Sequence, residues 1–594
     1  MGQMVSAGYE ARIDGLGCAL AKLRRQGFIA FVFIGVSAIL LLLVLVSAAG
    51  HGVSFWWALP LLSLLIAALR RSSKLNARGS KFLRLMHFYE AGLRRLRGRW
   101  QGHGQSGQEF CEPEHVYAQD LNVLGEGSMF ELLCVARTGI GRRGLAKLLM
   151  SPADVGAATE RQAAIAELSC RRDLTEKIAV LGDYDFQDSR WATFIGWLGT
   201  PPAWFPQWLP PLFTISGAAL AVMLLGAWNQ TFDWETVWPP VFSLLVINGA
   251  CYLHFHSRTE AIEDAAAALA GELEAFQEGV ELISAEVFLS DKIVAIQTEL
   301  SEAKTKVLSL RRWTRALSEC NKDWFYLPSR ILLVKTICAM KIEQWRRANG
   351  GDLKLWLRAW AEFEALHCLA NYAYENPEHT FPRFTRGEPC FAAEGLGHPL
   401  LDSAVCVRNQ VYLDRNSRFW IVSGSNMSGK STLLRAIGLN AVLAFAGAPV
   451  RANKLTISEL SICASMGAVD SLLEGKSKFL AEVTRIRQGI ELAQQPGEVL
   501  FLIDEILSGT NSRDRRAAAE AVVRTFLQND AIGVISTHDL CLTEIAEMPE
   551  LLGENVHMGS KEGGGPLDFD YLVKPGPNRE TNALAIARMA GVPV

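Results

Sequence analysis

Residues 418–432 read RFWIVSGSNMSGKST. Arg418 to Val422 is a short apolar run of the kind that forms a buried strand. The run LLRAIGLNAVLAFAG that follows is helix-forming. Between them, Gly424, Ser425, Asn426, Met427, Ser428, Gly429, Lys430, Ser431 and Thr432 keep the spacing G-x-x-x-x-G-K-S. In a strand–loop–helix context that spacing predicts a nucleotide phosphate site. The glycines let backbone N–H groups turn toward the phosphates, and the helix N-terminus adds positive potential. Lys430 is expected to reach the β- and γ-phosphates of ATP, and Ser431 to ligate Mg2+.

Downstream, residues 499–505 read VLFLIDE, an apolar strand ending in two carboxylates. Asp504 is expected to complete the Mg2+ shell, and Glu505 to orient or deprotonate an attacking water. A further strand, AIGVIS, leads to Thr537 and His538. A histidine at that strand end can sense a γ-phosphate; a purely structural histidine is the plainer alternative. Two segments then choose among phosphate-loop classes: Gly475-Lys-Ser477-Lys-Phe479-Leu-Ala-Glu482, and Ser508-Gly-Thr-Asn-Ser-Arg-Asp514 directly after the carboxylates.

With these motifs the sequence resembles the MutS family of ABC-type ATPases. GSNMSGKST is similar to that family's phosphate loop. Ser477-x-Phe479-x-x-Glu482 resembles its signature element, and LIDEILSGTNSRD its carboxylate pair with the dimer-interface loop. His398-Pro399, Gly447-Ala-Pro-Val-Arg-Ala452, Tyr571-Leu-Val-Lys-Pro-Gly576 and Ala590-Gly-Val-Pro593 extend the likeness. The resemblance implies a homodimer closing head to tail on ATP, with Ser477 facing the partner subunit's nucleotide. It also covers Gly127 to Leu133, Thr138 to Gly141, Arg161 to Ile165 and Phe363 to Ala370, which look like the family's helical lever core. DNA enters as a partner only through this resemblance.

The departures bear on function. Residues 1–118 leave no room for the family's mismatch-reading and connector domains. Phe88-Tyr89-Glu90 imitates the mismatch reader's Phe-x-Glu, but in a basic helix without that domain. The DNA clamp is expected to be reduced or absent, because 257–355 has few basic clusters. The chain stops at Val594, before the family's C-terminal dimerising helices. The position where the family stacks an aromatic on adenine falls near Cys406 to Asn409, which offers none.

Further upstream the chain is apolar. Phe28 to Gly50 carries no charge, and at 1.5 Å per residue it covers about 34 Å, against a bilayer core of about 30 Å. A second uncharged run, Val53 to Leu69, follows across His51 and Gly52. Lys22, Arg24 and Arg25 flank the pair on one end, and Arg70, Arg71, Lys74, Arg78 and Lys81 on the other. That pattern predicts a helical hairpin with both ends cytoplasmic. A signal peptide is the rival, disfavoured by the length of the run and by the second run. Leu209–Trp228 and Val237–His256 predict another hairpin, with Trp204, Trp208, Trp228, Trp234 and Trp238 at its edges. A buried helical pair is the alternative there. Ten basic residues between Arg70 and Arg99 face one acidic residue, Glu90. Anionic lipid explains this run best, with DNA backbone contact as the sharper alternative.

The chain has 594 residues, 49 % hydrophobic and 20 % charged, with net charge −3. This excludes a disordered chain and binding to nucleic acid by whole-chain charge. The 12 cysteines include no C-x-x-C pair, which argues against a zinc ribbon or a thioredoxin-like site. The expected fold class is α-helical membrane hairpins and a helical core, plus an α/β P-loop (ABC-type) ATPase domain. The expected segments are 1–27 cytoplasmic tail, 28–69 hairpin, 70–118 basic juxtamembrane segment, 119–203 first part of the core, 204–256 hairpin, 257–385 second part of the core and 386–594 ATPase. The protein is expected in the cell (inner) membrane, in contact with the lipid bilayer, with its ATPase cytoplasmic. Two functions fit: an ATPase acting on DNA structure, or an ATP-driven membrane or protein-assembly device. An ABC transporter is weaker, for want of an LSGGQ-like signature and of further spans.

Overall fold

The computed structural model describes residues 2–50, 52, 54–182, 194, 196–466, 478–508, 511–561 and 568–578. The chain divides into two compact units. The first comprises Met1–Val135, Leu145–Val180 and Ala365–Val594, and the second Ala136–Gly144 and Leu181–Glu364.

Two sheets organise the first unit. The strands are β1 (Arg383–Phe384), β2 (Phe391–Leu396), β3 (Asn409–Leu413), β4 (Phe419–Ser423), β5 (Lys454–Ile457), β6 (Leu460–Met466), β7 (Glu498–Asp504), β8 (Ile532–Thr537), β9 (Gly553–His557) and β10 (Lys574–Pro575). One sheet has the order β1-β5-β2-β3 and the other β10-β9-β4-β8-β7-β6. Strands β9, β4, β8, β7 and β6 are mutually parallel, and β10 closes the edge antiparallel. Parallel strands covered on both faces are apolar throughout, and β4 (FWIVS) and β8 (IGVIST) are buried at every position. Phe501 of β7 stacks on Phe526 of the helix Ser512–Gln528 at 4.6 Å between ring centroids. The helix Lys430–Ala446 is buried along most of its length. Residues 115–121 lie against this sheet: the Ala464 N–H donates to the Val116 carbonyl, and the Met466 N–H to the Asp120 carboxylate at 2.8 Å.

The first unit also holds an antiparallel helix pair, Gly2–Ala49 and Ala58–Leu96. Tyr9 and Leu16 pack with Leu85, Tyr89 and Leu93 at one end, and Val44 lines an open apolar groove with Trp57 and Leu61 at the other. Three sequence expectations change here. Residues 1–27, expected as a tail, belong to the first helix. The run Val53–Leu69 yields a 3-10 turn, Phe55–Trp57, and then only Ala58 to Leu69 before Arg70. That apolar helical length is about 18 Å, short of the roughly 30 Å core. Three helices among the described residues, not four, are long and apolar enough to cross a membrane: Gly2–Ala49, Leu209–Trp228 and Trp234–Ala267.

The third change concerns the basic run. The Arg95 guanidinium is buried and clasps Glu375 with two hydrogen bonds, 2.8 and 2.6 Å. Arg97 pairs with Glu10 at 2.5 Å. The run is therefore partly structural. Tyr89, of the reader-like tripeptide, is buried and donates to Glu176 at 2.5 Å.

The second unit is helical among its described residues. Leu209–Trp228 and Trp234–Ala285 form an antiparallel hairpin in which Ala227 packs with Val237 and Val241. The longer helix runs unbroken through Pro239 and Pro240, which lie inside it just past the first turn and leave the carbonyls of Glu235 and Thr236 without their intrahelical donors. Asp291–Ser301, Ala303–Glu319 and Asp323–Ile331 follow. Trp360 packs edge-on against Phe276 and stacks on Phe363 at 5.7 Å.

Candidate functional site

The strand–loop–helix expected from residues 418–432 forms: β4 ends at Ser423, and the helix starts at Lys430. The loop between needs its glycines. Gly424 has φ +154, and a Cβ there would lie 2.3 Å from the Met558 carbonyl oxygen. Gly429 has φ +101, and its Cβ would press on the Tyr571 ring at 3.0 Å. Met427 takes φ 70 without being glycine, and its side chain is exposed, as is Asn426. Ser425 and Ser431 are half-buried, Ser428 is buried and Thr432 exposed.

Two hydroxyls in this loop are orphaned. Ser425 Oγ and Ser428 Oγ are buried without hydrogen-bond partners. Lys430 Nζ folds back onto the carbonyl oxygens of Gly424 and Ser425, 2.9 Å from each. Burial pulls this ammonium below the ordinary lysine range, against the carboxylates of Glu505 and Asp504. A buried cation and unmet hydroxyls around a glycine loop at a helix N-terminus suit a polyphosphate.

The two carboxylates face this loop from the end of β7. Asp504 accepts from the Ser536 hydroxyl of β8, and the Glu505 N–H donates to the same hydroxyl at 3.0 Å. Glu505 sits at φ 53 and Leu507 at φ 53, left-handed conformations that non-glycine residues adopt at a cost. His538 Nδ1 lies 3.6 Å from Glu505 Oε1, which brings these two residues of adjacent strand ends close together. Glu482 is buried and accepts the Leu507 N–H, fixing the turn after the carboxylates. Arg515 donates to the carbonyls of Leu507 and Ser508, both at 3.0 Å. Ser477, Gly475, Gly509, Thr510 and the segment Ala590-Gly-Val-Pro593 lie outside the described residues.

Two residues were missed from sequence. Ser536 precedes the noted histidine, but only the β7–β8 pairing shows that it holds Asp504. Tyr571 stands beside the position where no aromatic was found. Asn409 Nδ2 donates to the Tyr571 carbonyl at 3.0 Å, and Asn409 Oδ1 accepts from Val573 N–H at 2.8 Å. Tyr571 thus lines a cavity of about 250 Å³ with His398, Val405, Val407, Gly429 and Thr432. Tyr571, from a loop 162 residues after Asn409, is the aromatic that stands beside the position near Cys406 to Asn409 where the sequence offers none. Burial holds the His398 imidazole down to about 4, with Arg435 and Arg451 adding to the effect, so it is neutral at physiological pH.

The structure thus shows a largely parallel sheet with a glycine loop at the end of β4 and two carboxylates at the end of β7. The comparisons carry this to a family. Residues 420–594 match the family model described as MutS domain V. The DNA mismatch repair protein MutS of Lactobacillus johnsonii is 25 % identical over 327 residues, 51 % of this chain and 37 % of that protein. That of Bacillus subtilis is 28 % identical over 325 residues, with the same coverage. That of Lactobacillus gasseri is 30 % identical over 239 residues, 39 % of this chain and 27 % of that protein. Over the segments they cover, the matches support a relationship to the MutS family. The chain spans about a third of the length of these relatives.

Proposed function

We propose that this protein is a membrane-anchored MutS-like ATPase. The observation that carries the reading is the convergence of the Gly424–Lys430 loop with Asp504, Glu505 and Ser536 at the ends of adjacent parallel strands. When bound, Mg2+ would be held by Ser431 and Asp504 and would offset charge on the transferring phosphate. Lys430, released from the loop carbonyls, binds the β- and γ-phosphates. Ser425, Ser428 and the loop N–H groups orient them. Glu505 takes the proton of the attacking water, and His538 holds Glu505 and reads the γ-phosphate. By the family resemblance, Ser477 completes the site of a second subunit, so that ATP closes a homodimer and hydrolysis reopens it.

The anchoring reading is supported by exposed apolar side chains on the candidate spans. Phe28, Phe31 and Leu42 in one helix, and Phe242 and Leu253 in another, stand more than half exposed. The antiparallel pairing of the first two helices brings the chain back to the side where it started. The reading of an inner-membrane protein with its polar parts cytoplasmic requires the short apolar stretch Ala58–Leu69 to return the chain to the side it left, as the helix pair of the second unit does.

The relatives are named for DNA mismatch repair, and DNA remains the partner that the family suggests. The alternative is an ATP-driven membrane or protein-assembly device. Phe88, the reader-like aromatic, is half-buried and packed against the cluster of Tyr9 and Tyr89, which favours that alternative over mismatch reading.

The test is ATP hydrolysis by detergent-purified protein, with and without matched or mismatched duplex. Wild type should hydrolyse ATP, Lys430→Ala should lose affinity, and Glu505→Gln should bind without turnover. Absence of ATP binding in folded wild type would end the reading. A mismatch preference above about tenfold, roughly 1.4 kcal/mol, would replace the alternative with a repair role.

A further inference from the structure

The first unit contains a second polar cavity, of about 350 Å³, away from the phosphate loop. The start of the first helix, the end of the Ala58–Leu96 helix and residues 372–379, 399–403 and Arg451 enclose it. Three side-chain atoms of its wall lack any hydrogen-bond partner: Tyr372 Oη, His379 Nδ1 and Arg451 Nε. All three side chains are deeply buried; Tyr372 is 4 % and Arg451 5 % exposed, and the His379 side chain 3 %.

These groups act on one another. The Tyr372 and His379 rings stand 5.4 Å apart, and the Arg451 charge is felt by both. Arg451 donates through Nη1 to the carbonyl oxygens of His398, at 3.0 Å, and of Leu401. Those acceptors are neutral, so its positive charge is buried without a carboxylate partner among the described residues. Arg95, in the same wall, differs because Glu375 takes its charge in a two-fold clasp.

An unmet buried polar group costs about 1–3 kcal/mol, and an uncompensated charge more. Three such groups around one cavity define what fits it. An apolar molecule would leave the donors unmet, and a cation would oppose Arg451. Water would satisfy the hydrogen bonds but not the charge. An oxyanion supplies both negative charge and several acceptors.

We propose that this cavity is a binding site for a small oxyanion, phosphate or carboxylate, held by Arg451, Tyr372 and His379. It is separate from the phosphate loop, although Leu401 lines both this cavity and the one beside Tyr571.

The experiment uses full-length protein in detergent micelles carrying Lys430→Ala, which removes the other phosphate-binding cation. Calorimetric titration with inorganic phosphate and, separately, with malonate should show saturable binding of at least one of them. Tyr372→Phe removes a single hydroxyl and keeps the packing; it should weaken that binding about tenfold. Arg451→Gln should abolish it. Lack of binding by both anions overturns the proposal and leaves a water-filled cavity. Binding that Tyr372→Phe leaves unchanged also overturns it, and does so even where Arg451→Gln fails to fold.

Discussion

The Ser536 hydroxyl at the end of β8 donates to the Asp504 carboxylate at the end of β7. The same oxygen accepts the Glu505 N–H, so one hydroxyl fixes both carboxylate-bearing residues. We predict that Ser536→Ala will bind ATP within about threefold of wild type but hydrolyse it at least about tenfold more slowly, because misplaced catalytic groups cost rate more than affinity. Ser536→Thr should recover most of the activity. Steady-state phosphate release alongside nucleotide binding checks this; unchanged turnover in the alanine variant would sink it.

Tyr571 presses its ring on Gly429, next to the cavity that extends from the phosphate loop. If the base lies there, Tyr571→Ala should weaken ATP about tenfold, in line with about 1–3 kcal/mol for a base stacked on an aromatic ring. Tyr571→Phe should not. Inorganic triphosphate, which has no base, should bind both variants like wild type. An equal loss for ATP and triphosphate would move the base elsewhere.

His367 is buried, and neither ring nitrogen has a partner. Burial holds it down to about 3, with the Arg172 charge adding to the effect. The unfolded chain takes up a proton near pH 6.5 and the folded chain does not until about pH 3. Stability therefore falls as pH drops through that window, by about 1.4 kcal/mol per pH unit for one such group. His367→Leu should remove one proton's worth of slope between pH 6 and pH 4.5. Urea unfolding at those two pH values measures it, and a slope equal to wild type would contradict the assignment.

Arg95 is paired to Glu375 inside the unit, with the Tyr9 hydroxyl 3.3 Å from the same carboxylate. Arg95→Ala should destabilise the protein by about 3 kcal/mol, as when one member of a buried pair is removed. It should leave binding to anionic vesicles unchanged, whereas Arg78→Ala, on the exposed part of the run, should weaken it without loss of stability. The reverse pattern would return Arg95 to the lipid-facing set.

The link between the two helices of the second unit, 229–233, carries no lysine or arginine. Thr236→Cys should be labelled by an impermeant maleimide from outside spheroplasts, with Cys541 protected until the membrane is opened. Labelling of Cys541 but not of position 236 in intact spheroplasts would invert the topology.

What could be read in advance follows the range of the interactions. The phosphate loop is encoded in 15 consecutive residues (418–432), so its strand, turn and helix were legible together. Asp504, Glu505 and His538 were legible as strand-end residues. Ser536 and Tyr571 were not, because their roles depend on which strands become neighbours. The first 27 residues have no apolar run of spanning length and read as a tail. They are ordered by partners far along the chain: Tyr9 meets Tyr89 and Glu375. Arg95 was misread for the same reason, since a basic run shows its charges and not the one carboxylate that claims a member.

The apolar hairpin of the second unit leaves and returns at one place. Phe205, just before it, and Phe255, at its far end, lie 5.6 Å apart, and Arg258 holds the Trp204 carbonyl at 2.8 Å. That is the geometry of a graft: a host chain opened at a single point accepts an insert whose two ends already touch, without redrawing the fold around it. Gain or loss of the insert is then one event that leaves the fold of the host in place.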